Sequence, residues 1–330
     1  MPKVAIIGTG GTISSIGHGP LDLLDYAHTG EKMTVEQLLE KFPVVREAAD
    51  LVPVPYKAVG SPEIGPTHWL ELTKLVHETV AKHPDLDGVV ITHGTATTEE
   101  TAYFLNLSLK VEQPVVVVGA QRPASAESTD AALNLYNAVR TAASPHSRGM
   151  GALVMLNDEI QSAREVTKTS TLRLQTFRTA DFGVLGQADG DEICYYRQPL
   201  RRRMPDAEFD VSGLSELPRV DISYSYGGID GTAVRAFVEA GAKGIVAASF
   251  APGMSHPAEV AALKEAVEQG VQVVVSTRAG SGRVTQRKAM DDRGFIAADN
   301  LLPQKARILL MLALTCTNDR GEIIRMFAEY

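Results

Sequence analysis

Cysteine is scarce in this chain, and no run of apolar residues is long. Cys194 and Cys316 have no CxxC partner and no companions at zinc spacing, so we expect both to be buried apolar thiols in a reducing compartment. No apolar run approaches the roughly 20 residues of a membrane span. The strand pattern that begins at Val4 leaves no room for a signal peptide. These absences predict a cytoplasmic protein.

Several familiar enzyme motifs are also missing. Gly8, Gly10 and Gly11 do not form a dinucleotide fingerprint, because Ile13 stands where the third glycine belongs. The chain has no P-loop GK[ST], no GxSxG elbow and no HExxH, which disfavours a metal hydrolase. A formal charge of −8 disfavours nucleic acid or an anionic membrane as the main partner. A small molecule is therefore the expected partner.

What is present is ordinary globular composition: 330 residues, 44% hydrophobic, enough chain for two domains. Short apolar runs alternate with helical stretches, which predicts βαβ units in a doubly wound, mostly parallel sheet. The predicted strands are residues 4–7, 88–92, 115–119 and 152–156, and the predicted helices are residues 35–41, 69–82, 98–109 and 131–143.

A break in this alternation divides the chain. Residues 197–218 contain three prolines and the arginines 201–203, so we interpret the segment as an interdomain linker with solvated arginines. The predicted domains are 1–196, larger and catalytic, and 219–330, a smaller α/β domain. The smaller domain has predicted strands at 220–226, 244–249 and 272–277, and predicted helices at 231–240, 258–269 and 303–315.

Two threonines stand at the ends of predicted strands. Thr12 and Thr95 lie among small residues that leave backbone N–H groups uncovered, which suits a hydroxyl nucleophile beside an oxyanion hole. Such turns also merely bend the chain or receive a phosphate. Lys168 follows another strand and, if buried, could accept the proton of Thr95; alone it would be a surface cation. We interpret His93 as a hydrogen-bonded turn residue rather than a general base.

Seven segments, in order and spacing, give the chain a specific resemblance over essentially its whole length. The segments are Thr9-Gly-Gly-Thr-Ile13, His93-Gly-Thr95, Val118-Gly-Ala-Gln-Arg-Pro123, Asn134-Leu-Tyr-Asn-Ala138, Asn157-Asp158, Val166-Thr-Lys-Thr169 and Pro303-Gln-Lys-Ala-Arg307. With these segments the chain resembles the bacterial-type L-asparaginases.

The resemblance implies a two-domain α/β amidohydrolase. It implies a homotetramer of intimate dimers with sites at their interface, and no metal or organic cofactor. It makes Thr12 the nucleophile, Thr95 and Lys168 the second hydroxyl and its base, Ser61 a binder of the substrate α-carboxylate, and Tyr26 the lid tyrosine. Thr12 would attack the carboxamide, N–H groups near Gly11 and Ala96 would stabilise the oxyanion, ammonia would leave, and water would release the acid.

The departures from the family pattern concern one function, binding of the substrate α-ammonium. Ala96 stands where the family has an aspartate, and Pro62 stands where Gln or Glu is usual, with Glu63 next in line. Met254 and Ala289 occupy the positions of polar groups that the family supplies from the partner subunit. Losing the carboxylate partner of a desolvated charge costs about 3 to 5 kcal/mol.

These departures predict a substrate without a free α-ammonium, or with a bulkier apolar group there. Succinamate-like acids, N-acylated asparagine and cyclic imides fit. The alternatives are that Glu63 replaces the missing charge and ordinary asparagine or glutamine is hydrolysed, that Ala96 was introduced to trap a ligand, or that the protein is an inactive ligand-binding homologue. A subunit of a tRNA amidotransferase is disfavoured by the acidic charge.

Overall fold

The computed structural model describes all 330 residues, which form two compact units, Met1–Ser212 and Gly213–Tyr330. Each unit has its own sheet, so the predicted α/β class is confirmed. The predicted linker spans the boundary between the units. Its arginines are not simply solvated, since Arg203 Nε donates to Gly149 O at 2.8 Å and Met204 is buried. The predicted limits of the linker and domains stay a prediction.

The first unit contains an eight-stranded sheet in the order β10-β9-β6-β5-β4-β3-β1-β2. Strands β5, β4, β3, β1 and β2 run parallel, and β6, β9 and β10 extend the sheet by antiparallel pairing. The bounds are β1 (Lys3–Gly10), β2 (Asp50–Val59), β3 (Gly88–Thr92), β4 (Val115–Val118), β5 (Ala152–Leu156), β6 (Glu159–Ser162), β9 (Gly186–Ala188) and β10 (Ile193–Tyr195). A separate two-stranded sheet is formed by β7 (Thr167–Lys168) and β8 (Phe177–Arg178).

Four helices cover this sheet: α1 (Val35–Lys41), α2 (Pro66–Lys82), α3 (Thr98–Ser108) and α4 (Ala131–Ala143). Side chains alternate between the two faces of a strand, so apolar runs such as Val115–Val118 supply both faces. One core packs α1 and α4 against one face, with Leu38 and Leu135 among its residues. The other packs α2 and α3 against the opposite face, with Leu72 and Leu105.

Three features differ from the sequence-based expectation, two in the first unit and one that concerns both units. Strand β2 was not predicted. Its Pro53 and Pro55 lack the N–H that a ladder needs, and it lies at the sheet edge, where that loss is tolerated. The short antiparallel strands β6, β9 and β10 were also missed. The expectation of two buried thiols is wrong: Cys194 is partly exposed on the edge strand β10, and Cys316 is exposed.

The second unit contains a four-stranded parallel sheet in the order β11-β12-β13-β14. The predicted strands and helices are present, while the short β14, α7 and the terminal α9 were missed. The bounds are β11 (Val220–Tyr224), α5 (Thr232–Glu239), β12 (Gly244–Ser249), α6 (Pro257–Glu268), β13 (Gln272–Thr277), α7 (Lys288–Asp291), β14 (Phe295–Ala297), α8 (Pro303–Cys316) and α9 (Arg320–Glu329). None of the helices in either unit has the length and apolar character needed to cross a membrane.

The topology of the first unit brings chemically useful residues to one edge. Strands β1, β3 and β4 are adjacent and parallel, so the loops that follow them lie side by side. Ligands of such sheets bind at this carboxyl edge. These three loops carry Thr12, Thr95 and Gln121.

Candidate active site

Two glycines, Gly11 and Gly94, allow the turns at this edge of the sheet to lie in close contact. Gly11 has a φ of +79°, and a Cβ added there would lie 2.2 Å from Gly94 N. A Cβ added at Gly94 would lie 2.7 Å from Ser61 Cβ. Only glycine permits this approach. The turn of Thr12, the turn of Thr95 and the residues around Ser61 are therefore immediate neighbours.

Thr12 pairs with Tyr26. Thr12 follows β1 as the first residue of a 3-10 helix, Thr12–Ser14, and its Oγ1 lies 3.0 Å from Tyr26 Oη. Tyr26 sits on the short 3-10 helix Asp25–His28. The structure thus joins the two residues that the resemblance assigned as nucleophile and lid tyrosine.

Asp22, which the sequence analysis did not identify, holds the segment of Tyr26. Its Oδ2 accepts the N–H of His18 at 3.0 Å, and its Oδ1 accepts those of Asp25 at 2.8 Å and Tyr26 at 3.1 Å. These bonds, the one from His18 foremost, hold the pKa of Asp22 below its ordinary value. An Asp three residues before a short helix was the available signal.

Thr95, Lys168 and Gln121 form a second group. Lys168 Nζ donates to Thr95 Oγ1 at 2.7 Å and to Gln121 Oε1 at 3.1 Å, and Thr95 Oγ1 donates to Gln121 Oε1 at 2.9 Å. Burial lowers the pKa of Lys168, while the charge of Glu99 opposes that change. An amine less basic than an ordinary lysine, bonded to a hydroxyl, can serve as a proton acceptor.

Gln121 also ties this group to the loop after Lys168. Its Nε2 donates to the carbonyl oxygens of Arg173 at 3.0 Å and Thr171 at 3.4 Å. In the sequence, Gln121 stands only within the Val118–Pro123 segment of the family resemblance, and its side chain has no predicted role. A glutamine at a strand end carries no distinctive signal, so only the three-dimensional arrangement identifies it.

His93 lies beneath these groups and is fully buried. Its Nδ1 faces the carbonyl oxygen of Gly94 at 2.8 Å, so Nδ1 carries the proton, and its Nε2 lies 2.9 Å from Thr101 Oγ1. Burial lowers the pKa of His93 to about 4. Both ring nitrogens of the neutral imidazole have partners, which agrees with the prediction of a hydrogen-bonded turn residue.

Ser61 and Ala96 meet on another side of the site. Ala96 N donates to Ser61 Oγ at 3.3 Å, and Thr97 Oγ1 donates to Ser61 O at 2.7 Å. Ser61 is buried, whereas Pro62, Glu63 and Ala96 are exposed. The Glu63 carboxylate accepts the N–H of Gly60 at 3.0 Å, which caps the 3-10 helix Ser61–Glu63.

The expected oxyanion donors are engaged in this structure. The N–H of Gly11 donates to Val59 O at 3.2 Å instead of facing open space, and that of Ala96 is the one bonded to Ser61. Gly11 therefore serves close packing here. No group of three or more His, Cys, Asp or Glu side chains in the chain is arranged to hold a metal ion.

Comparison with known proteins covers the whole chain. Residues 3–201 match the family described as "Asparaginase, N-terminal", and residues 219–327 match "Glutaminase/Asparaginase C-terminal domain". An L-asparaginase 2 of Bacillus subtilis is 43% identical over 330 residues, 100% of this chain and 87% of that protein. A glutaminase-asparaginase of Pseudomonas fluorescens is 41% identical over 333 residues, 100% of this chain and 91% of that protein.

A solved structure shares the fold. It is titled "Probable Cytoplasmic L-asparaginase from Campylobacter jejuni", has a TM-score of 0.95 and 41% sequence identity, and the match covers 100% of both chains.

Proposed function

The chain belongs to the asparaginase family, and from that premise we propose that it hydrolyses a carboxamide through an ester formed on Thr12. Its membership of this family identifies it as an amidohydrolase. The threonine ester and the identity of the substrate are our proposal. The observation that carries the proposal is the bond of 2.7 Å between Lys168 Nζ and Thr95 Oγ1, in a site whose neighbouring turn presents a second hydroxyl.

The first half of the reaction is acyl transfer to Thr12. Its Oγ1 attacks the carboxamide carbon, and N–H groups of the two turns stabilise the oxyanion, for which those of Gly11 and Ala96 must exchange their present acceptors, Val59 O and Ser61 Oγ. Tyr26 Oη, 3.0 Å from Thr12 Oγ1, relays a proton: it accepts the one that Thr12 loses and gives its own to the departing nitrogen. The C–N bond breaks and ammonia leaves, while the acyl group stays as an ester.

The second half is hydrolysis of that ester. Neutral Lys168 takes the proton of Thr95 while Thr95 takes a proton from water, and the resulting hydroxide attacks the ester carbon. The proton held by Lys168 then returns to Thr12 as the Thr12 oxygen leaves the acyl carbon. The free acid is released. The lowered pKa of Lys168 supports this use, because a neutral amine is required.

We further propose a substrate that has no free α-ammonium. Ala96 brings no charge to the side of the site formed with Ser61, and the carboxylate of Glu63 is bonded to Gly60. Met254 and Ala289, the two further departures, are exposed residues of the second unit. A pocket without an anion does not repay the desolvation of an ammonium group.

Ordinary asparaginase or glutaminase activity is the second candidate. It is favoured by the names of the Bacillus subtilis and Pseudomonas fluorescens relatives, which are 43% and 41% identical over 100% of this chain. On this alternative, L-asparagine gives L-aspartate and ammonia, and exposed Glu63 turns from Gly60 toward the substrate.

One assay separates the two candidates. Ammonia release is measured from asparagine, glutamine, succinamate and N-acetylasparagine, with the wild type, Thr12→Ala and Ala96→Asp. We expect the wild type to prefer the substrates without a free ammonium, Thr12→Ala to be inactive, and Ala96→Asp to gain asparagine hydrolysis. Efficient asparagine hydrolysis by the wild type, unchanged in Ala96→Asp, would favour the second candidate. No hydrolysis of any amide would favour a binding protein.

Assembly and compartment complete the proposal. The family resemblance leads us to propose a homotetramer of intimate dimers, which light scattering of the purified protein tests directly. We propose a cytoplasmic location, as the name of the Campylobacter jejuni protein states for that protein. Unpaired Cys194 and Cys316 support it, and cell fractionation checks it.

A further inference from the structure

Glu99 is a buried carboxylate beside the site that the proposed mechanism does not use. It lies in the first turn of α3, four residues after Thr95, and only 6% of it is exposed. Burying a carboxylate is costly unless polar groups surround it. Polar partners must therefore offset the burial of this side chain.

Those partners lie far away in the sequence, on the strand that carries Lys168. Glu99 Oε1 accepts the hydroxyl proton of Thr167 at 3.0 Å and the backbone N–H of Lys168 at 3.1 Å. Strand β7 is only two residues long, and its single partner strand is β8. The bonds to Glu99 join this short strand to the helix that begins just after Thr95.

We propose that Glu99 is a positioning residue for Lys168: it fixes the backbone from which the amine reaches Thr95, and it sets a negative charge beside that lysine. The inference rests on the proposed role of Lys168 as the proton acceptor. In these hydrogen bonds Glu99 contacts neither Thr12 nor Thr95, so it acts through Lys168.

The groups that face the amine come from three elements. Thr95 belongs to the turn between β3 and α3, Gln121 to the loop after β4, and Glu99 to α3. Thr95 and Gln121 are uncharged, so Glu99 supplies the charge. This charge raises the pKa of Lys168, while burial, the larger influence, lowers it.

The direction of the expected change follows from these two influences. Removing the negative charge of Glu99 leaves burial unopposed, so the pKa of Lys168 falls further. The amine then becomes neutral at lower pH. If neutral Lys168 is the active form, the acidic limb of the pH–rate profile moves to lower pH.

Two substitutions separate charge from positioning. Glu99→Gln keeps an oxygen that can accept both bonds and removes the charge, so we expect the acidic limb to shift downward by about one pH unit with KM little changed. Glu99→Ala removes the acceptor as well, so we expect kcat to fall by about 100-fold through misplacement of the amine. Glu100→Gln, the same charge change one position along α3, is the matched control and should leave the profile in place.

A direct titration makes the test independent of activity. Lysines are reductively methylated with ¹³C, the Lys168 signal is assigned by its loss in Lys168→Met, and its chemical shift is followed with pH in the wild type, Glu99→Gln and Glu100→Gln. A downward shift in Glu99→Gln alone supports the proposal. An unchanged Lys168 titration in Glu99→Gln overturns it, as does full kcat per folded molecule in Glu99→Ala.

Failure of the proposed mechanism gives a different pattern. If Lys168→Met retains wild-type activity, the role of Lys168 as base is wrong, and the pH–rate profile no longer reports on Glu99. The ¹³C titration still measures whether Glu99 controls the amine, so the two failures are distinguishable.

Discussion

Two sides of the candidate site are built in opposite ways. On the hydroxyl side, Thr12 bonds to Tyr26, and Thr95 bonds to both Lys168 and Gln121. On the serine side, made of Ser61, Pro62, Glu63 and Ala96, most residues are exposed and the one carboxylate caps its own turn. The proposed catalytic groups are thus already hydrogen-bonded to one another. The residues proposed to select the substrate are mostly exposed and offer no unengaged carboxylate.

The largest expected effect on the hydroxyl side is that of Thr12→Val, which removes the proposed nucleophile at nearly constant volume. We expect kcat for ammonia release to fall by at least about 10⁴-fold, because loss of a nucleophile removes the covalent route. The measurement is steady-state kinetics on the best substrate.

The control for that change is Thr9→Val. Thr9 is a buried threonine of β1 whose Oγ1 donates to Thr92 O at 2.7 Å. It should lose about 1 kcal/mol of stability and keep its activity when folded. Activity of Thr12→Val within tenfold of wild type would contradict this expectation. The hydroxyl side would then contribute no more to bond breaking than the serine side does.

Restoring an acid on the serine side should change selectivity rather than rate in general. We expect Ala96→Asp to alter the ratio of kcat/KM for asparagine and succinamate by about 100-fold or more in favour of asparagine, because a new carboxylate can pair with the ammonium. Ala96→Asn is the control of similar size. Equal ratios in wild type and Ala96→Asp would show that the serine side does not select for charge.

Gln121→Met tests whether the hydrogen bonds of Gln121 hold Thr95 and Lys168 in place. Methionine has a similar length but cannot accept the bonds from Lys168 and Thr95, nor donate to the carbonyls of Thr171 and Arg173. We expect kcat to fall roughly tenfold, the size of a lost hydrogen bond to a charged group. An unaltered kcat with unaltered selectivity would mean that Thr95 and Lys168 are held without Gln121.

The last effect concerns stability beneath the hydroxyl side rather than activity. The pKa of His93 is about 4 in the folded protein and about 6.5 as an ordinary histidine, so the unfolded chain binds a proton first as pH falls. Between these pH values, stability should decrease with falling pH, by roughly 3 kcal/mol at most from this residue.

NMR titration of the His93 ring and denaturant unfolding at pH 7 and pH 4.5 check this expectation. His93→Gln should show a weaker loss of stability with acid than the wild type. A ring that titrates near pH 6.5 would contradict the neutral, fully bonded imidazole.

Much of this architecture could be predicted from local sequence. The apolar runs of β3, β4 and β5 and the periodic helices α1 and α4 are found where the patterns placed them. The same patterns put Thr12 and Thr95 at one edge of a parallel sheet, and the structure brings Lys168 to Thr95. These features are set by residues close together in the chain and by the rules of parallel sheets.

What could not be predicted depends on contacts between distant segments. Gln121 reaches Lys168 across 47 positions and Glu99 reaches Thr167 across 68, and neither residue type marks such a contact. Strand β2 contains two prolines and is tolerated only because it forms the sheet edge. Cys194 was expected inside because cysteines usually are, whereas its strand, β10, is the opposite edge.

The proposed mechanism requires that Thr12 becomes esterified during turnover. This step is tested by acid quenching of the enzyme within one turnover of its best amide, followed by mass spectrometry with fragmentation. We expect an acyl adduct on Thr12 that is absent from Thr12→Val. Ammonia release without any adduct, or with the acyl group on Thr95 instead, would contradict it.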